Sequence, residues 1–299
     1  MKWLLLILFA VPCLAHATDE ARIERRLARA NAGISRDWLA ADAIALQSRY
    51  VDDAVLMPEH ATARRGAPAI GAYYAALFKA ARVTDYHRMS QNILEYDGHA
   101  VQTGTYRLVL AVATSPGREF RGKFMALWDL RTDTPRLVCE LWGADSPFER
   151  TALPAIDLPS SPRASPDAPD PSLAAEVAAR NALIGQLVTE RRGSDHAALF
   201  LPDAIYLPYY SPMRIGITQI RDYFLAHEQP GEVAIEALHL ERGAIRPLQG
   251  HDVVLEEGFY RVAWRAGNDH GVVRGKSLNL WQRDAQGELK LLRQAVNHD

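Results

Sequence analysis

A chain of 299 residues with 48% hydrophobic and 23% charged side chains carries apolar material for two cores, more than one average domain needs. Its formal net charge of −2, with no stretch that gathers the basic residues, excludes nucleic acid and anionic membrane surfaces as partners drawn in by charge. Two cysteines, Cys13 and Cys139, exclude a disulfide framework.

Residues 1–17 read as a signal peptide. Lys2 supplies the positive start, Trp3 to Leu14 the apolar stretch broken by Pro12, and Ala15-His16-Ala17 the cleavage signal. That apolar stretch is too short to span a bilayer. The expected product begins at Thr18, is exported to the periplasm or beyond, and keeps no membrane anchor after cleavage. Cys139, in the apolar run Arg136–Trp142, is expected to be an inert core thiol.

From Thr18 to Arg49, Ile23, Leu27, Ala30, Ile34 and Trp38 recur every three or four residues, which predicts one amphipathic helix, or two with a break near Gly33. A short extended segment, 51–57, and a helix over 68–81 follow. Four strands are expected at 86–96, 99–114, 118–131 and 136–143, separated by Asp97-Gly98, Ser115-Pro116-Gly117 and Thr132–Pro135. Ser146 to Pro171 is rich in proline, which excludes helix and central strand and predicts an extended linker. Asp170 then caps a helix that ends at Gly193. A strand at 204–207, a helix at 218–227 and strands near 233–245, 251–265, 271–283 and 288–297 complete the chain.

The chain repeats itself. Asp53, Ala54, Pro58, Gly66, Ile70 and Tyr73 recur 150 positions later at Asp203, Ala204, Pro208, Gly216, Ile220 and Tyr223. Gly104-Thr-Tyr106-Arg107 answers Gly258-Phe-Tyr260-Arg261, and Arg121-Gly122-Lys123 with Trp128 answers Arg274-Gly275-Lys276 with Trp281. This is an internal duplication. The organisation expected is a signal peptide 1–17, a first domain 18–150, a linker 151–171 and a second domain 172–299. Helices first and a meander after make each an α+β unit.

The features Tyr50-x-x-Asp53-Ala-Val, Gly66-x-x-x-Ile70, Gly104-x-Tyr106, Gly122-x-Phe124 leading to Trp128, and Glu140-x-Trp142 resemble the nuclear transport factor 2-like superfamily, in its SnoaL-like and ketosteroid-isomerase-like branch. The second copy follows the same framework without the final Glu-x-Trp. The resemblance implies a cone in each copy: a curved antiparallel sheet wrapped around about three helices, with a mostly apolar pocket inside. It also implies pairing through the sheets, so that the fused copies make an intramolecular pseudo-dimer or the chain a homodimer. The superfamily includes isomerases, cyclases and dehydratases as well as non-catalytic binding and assembly modules.

Acid–base work in such a pocket needs a carboxylate held in apolar surroundings. Glu140 is the candidate, because strand alternation puts Val138, Glu140 and Trp142 on one face. The competing reading is a buried structural acid bonded to a tyrosine or arginine. Its counterpart, Gln294, cannot ionise. Aromatic and sulfur side chains expected at a small hydrophobic ligand are Trp38, Tyr50, Met57, Tyr74, Phe124 and Trp142 in the first copy. Tyr206, Tyr210 and Gln294 are their candidates in the second. Asp53 and Asp203 read as turn-bonding, structural residues. No histidine pair has metal-ligand spacing and no glycine loop has phosphate-binding form, so no metal or cofactor is expected.

Overall fold

The computed structural model describes residues 11–112, 117–159 and 170–299, with side chains in the first helix from residue 21 onward. Residues 1–10 of the expected signal peptide, most of the Ser115-Pro116-Gly117 turn and the middle of the proline-rich segment therefore lie outside the described residues.

The first copy comprises α1 (Val11–Leu39), α2 (Ala43–Ser48), β1 (Tyr50–Met57), β2 (Arg64–Arg65), α3 (Ala67–Ala80), β3 (Ala81–Tyr96), β4 (His99–Val112), β5 (Arg118–Asp129) and β6 (Arg136–Ala144). The second repeats that order as α4 (Pro171–Thr189), α5 (Gly193–Ala197), β7 (Phe200–Leu207), β8 (Arg214–Ile215), α6 (Ile217–His227), β9 (Val233–Gln249), β10 (Val253–Ala266), β11 (Asp269–Arg283) and β12 (Leu289–His298). Among the described residues, two six-stranded sheets have the orders β2-β1-β6-β5-β4-β3 and β8-β7-β12-β11-β10-β9. Neighbours are antiparallel except β1 with β6 and β7 with β12, which are parallel, so each sheet is mixed.

Two of the helix boundaries that differ from the expected ones have a clear local cause. Helix α1 runs straight through Gly33 and stops at Leu39. The break is made instead by Ala41, at φ +53°, and by Asp42, whose carboxylate caps α2 through Ala45 N at 2.8 Å. Gly33 serves close approach, since a Cβ there would lie 2.9 Å from the Arg49 guanidinium. Gly193 opens α5 rather than ending α4. It too serves close approach, because a Cβ would sit 2.7 Å from the Phe224 carbonyl oxygen. Asp170 does cap α4, accepting from Ser172 N at 2.7 Å with Pro171 in the first turn.

The central strands of each sheet are buried on both faces, while β3, β9 and the β10–β11 hairpin end keep exposed residues. On β5, Phe124, Ala126 and Trp128 face the helices of the first copy, while Met125 and Leu127 face the second copy. An aliphatic layer joins Val55, Met57, Val101, Cys139 and Leu141 to Leu207, Leu255, Leu278, Leu280 and Leu292 across the two sheets. This explains the near-continuous apolar runs in the central strands. The alternation expected at Val138 is broken by a bulge between Leu127 and Trp128, whose partners are Cys139 and Leu137. Val138 consequently turns into the inter-copy layer, while Glu140 keeps facing the first copy's interior.

Charged groups border the layer. Arg65 binds Glu257, and Arg246 reaches Asp53 at 3.3 Å. Asp53 thus bonds the opposite copy rather than a turn backbone. Asp203 is exposed, and its carbonyl accepts from Arg293 at 3.1 Å.

The proline-rich stretch begins as packed chain, not as a free spacer. Phe148, Ala152, Leu153, Ile156 and Leu158 lie against the first core, and Arg64 donates to Pro159 O at 2.6 Å. The apolar residues set between its prolines give it something to bury.

Leu280 is fully buried in the inter-copy layer. Leu280→Ala is expected to lower unfolding stability by about 2–5 kcal/mol, read from the midpoint of a urea titration.

Candidate functional site

The interior of the first copy is aromatic. Trp38 stacks on Tyr86 at 4.6 Å between ring centres and meets Tyr74 edge-on at 5.4 Å. Tyr106 meets Trp142 edge-on at 6.0 Å. At the open end of this core lies a cavity of about 470 Å³. Trp38, Tyr73, Leu77, Leu108, Leu110 and Trp142 form its inner wall; Glu59, His60 and Ala61, from the turn after β1, form one side. Arg150 to Asp157, from the strap that follows β6, supply the other side. Phe148 anchors that strap by edge-on contact with Phe120 at 5.1 Å.

Glu59 is the buried carboxyl of this cavity. It is only 3% exposed. Its Oε2 accepts from Ala144 N at 2.8 Å, and its Oε1 has no hydrogen-bond partner among the described residues. Burial pushes its pKa up to about 7, opposed by the Ala144 bond and by Lys123 and Lys276. Those lysines are themselves pulled down to about 8 by burial. The neighbouring His60 is pulled down to about 4, again chiefly by burial, so its imidazole is neutral at pH 7. Its Nε2 lies 2.7 Å from the Tyr210 hydroxyl. Burial also pushes the Tyr73 phenol up, which keeps it a hydrogen-bond donor. A carboxyl that titrates near neutrality in an apolar cavity is suited to taking and returning a proton.

Glu140 lies in packed core and is not part of the cavity wall. Arg88 donates to its Oε1 and Tyr50 to its Oε2 at 2.7 Å, while Tyr50 and Tyr74 share a hydrogen bond at 3.0 Å. The Arg88 guanidinium rests 3.7 Å from the centre of the Phe124 ring. Glu140, Tyr50, Tyr74 and Phe124 are thereby brought together, around an arginine that sequence reasoning did not pick out. Burial and Glu140 together hold the Tyr50 phenol well above its ordinary range.

The other expected ligand residues scatter. Trp38 and Trp142 line the cavity. Met57 points the opposite way, into the layer between the sheets, because Leu56 takes the inward position on β1. Tyr206 packs inside the second copy against Phe200, Tyr223 and Phe224. Tyr210 sits where the copies meet, beside His60 and Phe148. Burial pushes the Cys139 thiol up, and the side chain is fully enclosed in the inter-copy layer, as an inert thiol would be. Among the described residues, no cluster of three histidine, cysteine or acidic side chains is arranged to hold a metal.

The second copy holds a buried acid that sequence reasoning missed. Glu256 accepts from Asn181 at 2.5 Å, Asn279 at 3.0 Å and Trp281 at 2.8 Å, and Gln294 donates to Asn279 at 3.1 Å. Burial raises its pKa against those bonds. Its counterpart in the first copy is Gln102, which accepts from Trp128 at 3.0 Å. The acid and the amide have therefore exchanged places: Gln102 with Glu140 in one copy, Glu256 with Gln294 in the other. Comparing strand β4 with β10 would have exposed the exchange. Glu59 carried a similar signal, since it and His60 stand where the second copy has Tyr209 and Tyr210.

No protein-family model matches this chain, and no curated protein matches it. Among solved structures it is similar to ActVI-ORFA from Streptomyces coelicolor, at 18% identity over 44% of this chain and 97% of that one, with a TM-score of 0.39. A ketosteroid isomerase-like protein from Erwinia carotovora atroseptica matches at 16% identity over 43% and 97%, with a TM-score of 0.35. A nuclear transport factor 2-like superfamily protein from Salmonella enterica serovar Typhimurium matches at 11% identity over 44% and 96%, with a TM-score of 0.38.

Arg88→Met leaves Glu140 buried beside Tyr50 without its cation, and is expected to cost about 3–5 kcal/mol in a urea titration. The double variant Arg88→Met/Glu140→Leu should recover most of that loss.

Glu59 makes a second, pH-dependent contribution. Its pKa is higher folded, about 7, than unfolded, 4.5. The folded state therefore binds more protons between those values, and the stabilisation present below 4.5 is lost as pH rises through 7. His60 and His298, lowered to about 4, change stability in the opposite sense near the same range, so the wild-type curve is a sum. The difference between wild type and Glu59→Gln removes the histidine contributions and reports the carboxyl together with its coupling to Lys123 and Lys276. The variant is expected to gain up to about 3 kcal/mol relative to wild type between pH 4.5 and 8.

Proposed function

We propose that the first copy binds a small hydrophobic molecule in the cavity beside Glu59, and that Glu59 moves a proton on it. The observation that carries this reading is one buried carboxyl, titrating near neutrality, beside the aromatic and aliphatic inner wall of a cavity whose strap side also carries Arg150, Thr151 and Asp157. At pH 7 a large fraction of Glu59 is ionised and can take a proton from a ligand C–H or O–H. The carboxylic acid so formed can return it to another atom of the same ligand. That sequence serves isomerisation, cyclisation or dehydration alike. Neutral His60 and the Tyr73 phenol also line the cavity, and both can hydrogen-bond the oxygen on which charge develops.

Glu140 takes a different role in this reading. Paired to Arg88 and Tyr50, it fixes the packed core on which the cavity rests. The fused copies act as a pseudo-dimer within one chain, and we place the protein in the periplasm or outside the cell on the strength of residues 1–17.

The purified full chain should bind 8-anilinonaphthalene-1-sulfonate in the cavity. The sulfonate is expected to bind less well as Glu59 ionises, with a midpoint near 7, and Glu59→Gln should remove that dependence. Leu153→Trp, at a half-buried strap residue that packs on the core and lines the cavity, should weaken binding by at least about tenfold. Unchanged binding in a folded Leu153→Trp would sink the assignment of the cavity. For a ligand identified by native mass spectrometry, Glu59→Gln is expected to cut turnover by about 100-fold or more, while Glu140→Gln keeps Glu59-dependent chemistry in whatever fraction folds. N-terminal sequencing of protein recovered from the cell exterior should begin at Thr18; an intact Met1 there would end the export proposal.

A further inference from the structure

The turn that carries Glu59, His60 and Ala61 is held within the first copy by Ala144 N on Glu59 Oε2 and by Arg150 on His60 O at 3.1 Å, and from the other side by the second copy. His60 N donates to His298 O at 3.0 Å, and His60 Nε2 lies 2.7 Å from the Tyr210 hydroxyl. Lys276, with no exposed side-chain surface, donates to Ala61 O at 2.8 Å, His298 O at 3.0 Å and Asp299 Oδ1 at 2.7 Å. Asn297 donates to Met57 O at 3.0 Å and to Trp142 O at 2.8 Å, bracketing the same wall.

The turn needs such support. His60 adopts φ +57°, the left-handed region that a residue with a Cβ enters at a cost of about 1–2 kcal/mol. Tyr210, its equivalent, adopts φ +50°, so two strained turns face each other where the copies meet. The His60–Tyr210 bond serves both turns, and Tyr210 also donates to Phe148 O at 3.4 Å, but the lysine contact is one-sided. Lys123, the equivalent of Lys276, donates to Ala144 O and approaches Asp145 at 3.7 Å, both within its own copy.

We propose that the second copy is a positioning subunit for the first copy's cavity, with Lys276, Tyr210 and Asn297 holding the Glu59–Ala61 wall in place. The proposal rests on the reading of Glu59 as the cavity's acid, but its test reads titration, not turnover, so the two can fail separately. Lys123, Lys276 and Asp145 are the charged groups that act on Glu59, with Lys276 contributed by the second copy; the phenols of Tyr106, Tyr209, Tyr210 and Tyr260 also couple to it. Arg150, Lys276 and His298 act on His60. Removing the Lys276 charge therefore makes the Glu59 carboxylate harder to form, although no residue of the first copy has changed.

The experiment is a carbon-13 NMR titration of the full chain labelled at the glutamate carboxyls, with Glu59 assigned by its loss in Glu59→Gln. Lys276→Met is expected to raise the Glu59 midpoint by about one pH unit, and Lys276→Arg to leave it near the wild-type value. Tyr210→Phe removes the hydroxyl at His60 Nε2. It is expected to shift the nitrogen-15 signature of the His60 tautomer while the fold, read by circular dichroism, is kept. Folded Lys276→Met with an unmoved Glu59 midpoint overturns the proposal. If Lys276→Met does not fold, Tyr210→Phe decides alone, and an unchanged His60 signature overturns it.

Discussion

The layer of aliphatic side chains between the two sheets is the constraint on which the rest of the molecule depends. Where a strand has helices on one face and a second sheet on the other, as in the central strands, it has no solvated side, so nearly every residue there must be apolar or paired. Polar groups are driven to the rim of the layer, where Arg65, Glu257, Arg246 and Asp53 pair across it. The same closure brings Lys276 and Tyr210 against the turn that carries Glu59 and His60. Burial there raises the carboxyl and lowers the lysines, since each charge loses water that its partners only partly replace. The chemistry available to the cavity follows from how the copies pack.

The copies have kept one architecture and divided its polar content. Each buries one acid among the strand residues facing its helices, but at exchanged positions, Glu140 in one and Glu256 in the other. The partners have changed to match. Around Glu140 stand Arg88, Tyr50 and Tyr74; the positions of the two tyrosines hold Phe200 and Phe224 in the second copy. Around Glu256 stand Asn181, Asn279 and Trp281. A buried acid is tolerated only where hydrogen bonds replace its hydration, so acid and donors must move together. This coupling explains why single-position comparison of Glu140 with Gln294 misled: it showed a missing acid where there was a relocated one.

The first half of the proline-rich segment shows how composition can be right about conformation and silent about placement. Proline density excluded helix and central strand, and the chain from Phe148 to Pro159 is free of both apart from one short 3-10 turn at Arg150–Ala152. Yet Leu153, Ile156 and Leu158 bury themselves on the first core and bring Arg150 and Asp157 to the cavity. Extended chain with regularly placed apolar side chains is as able to pack as to span a gap, and the difference depends on what surface lies beside it.

The amino-acid sequence by itself determined the duplication, the α+β order of each copy, the Asp170 cap and the burial of Cys139. Those features are local, or repeat along the chain, so periodicity and offset reveal them. Only the tertiary structure decided which polar groups meet. Glu59 is separated from Lys276 by more than two hundred residues, and Glu140 from Arg88 by two strands and their turns. A bulge at Val138 and the inward choice of Leu56 over Met57 then set which side chains face the first copy's interior and which the layer between the sheets. Strand alternation allows two phases, and it is burial against a second sheet, not the order of residues in one strand, that selects between them.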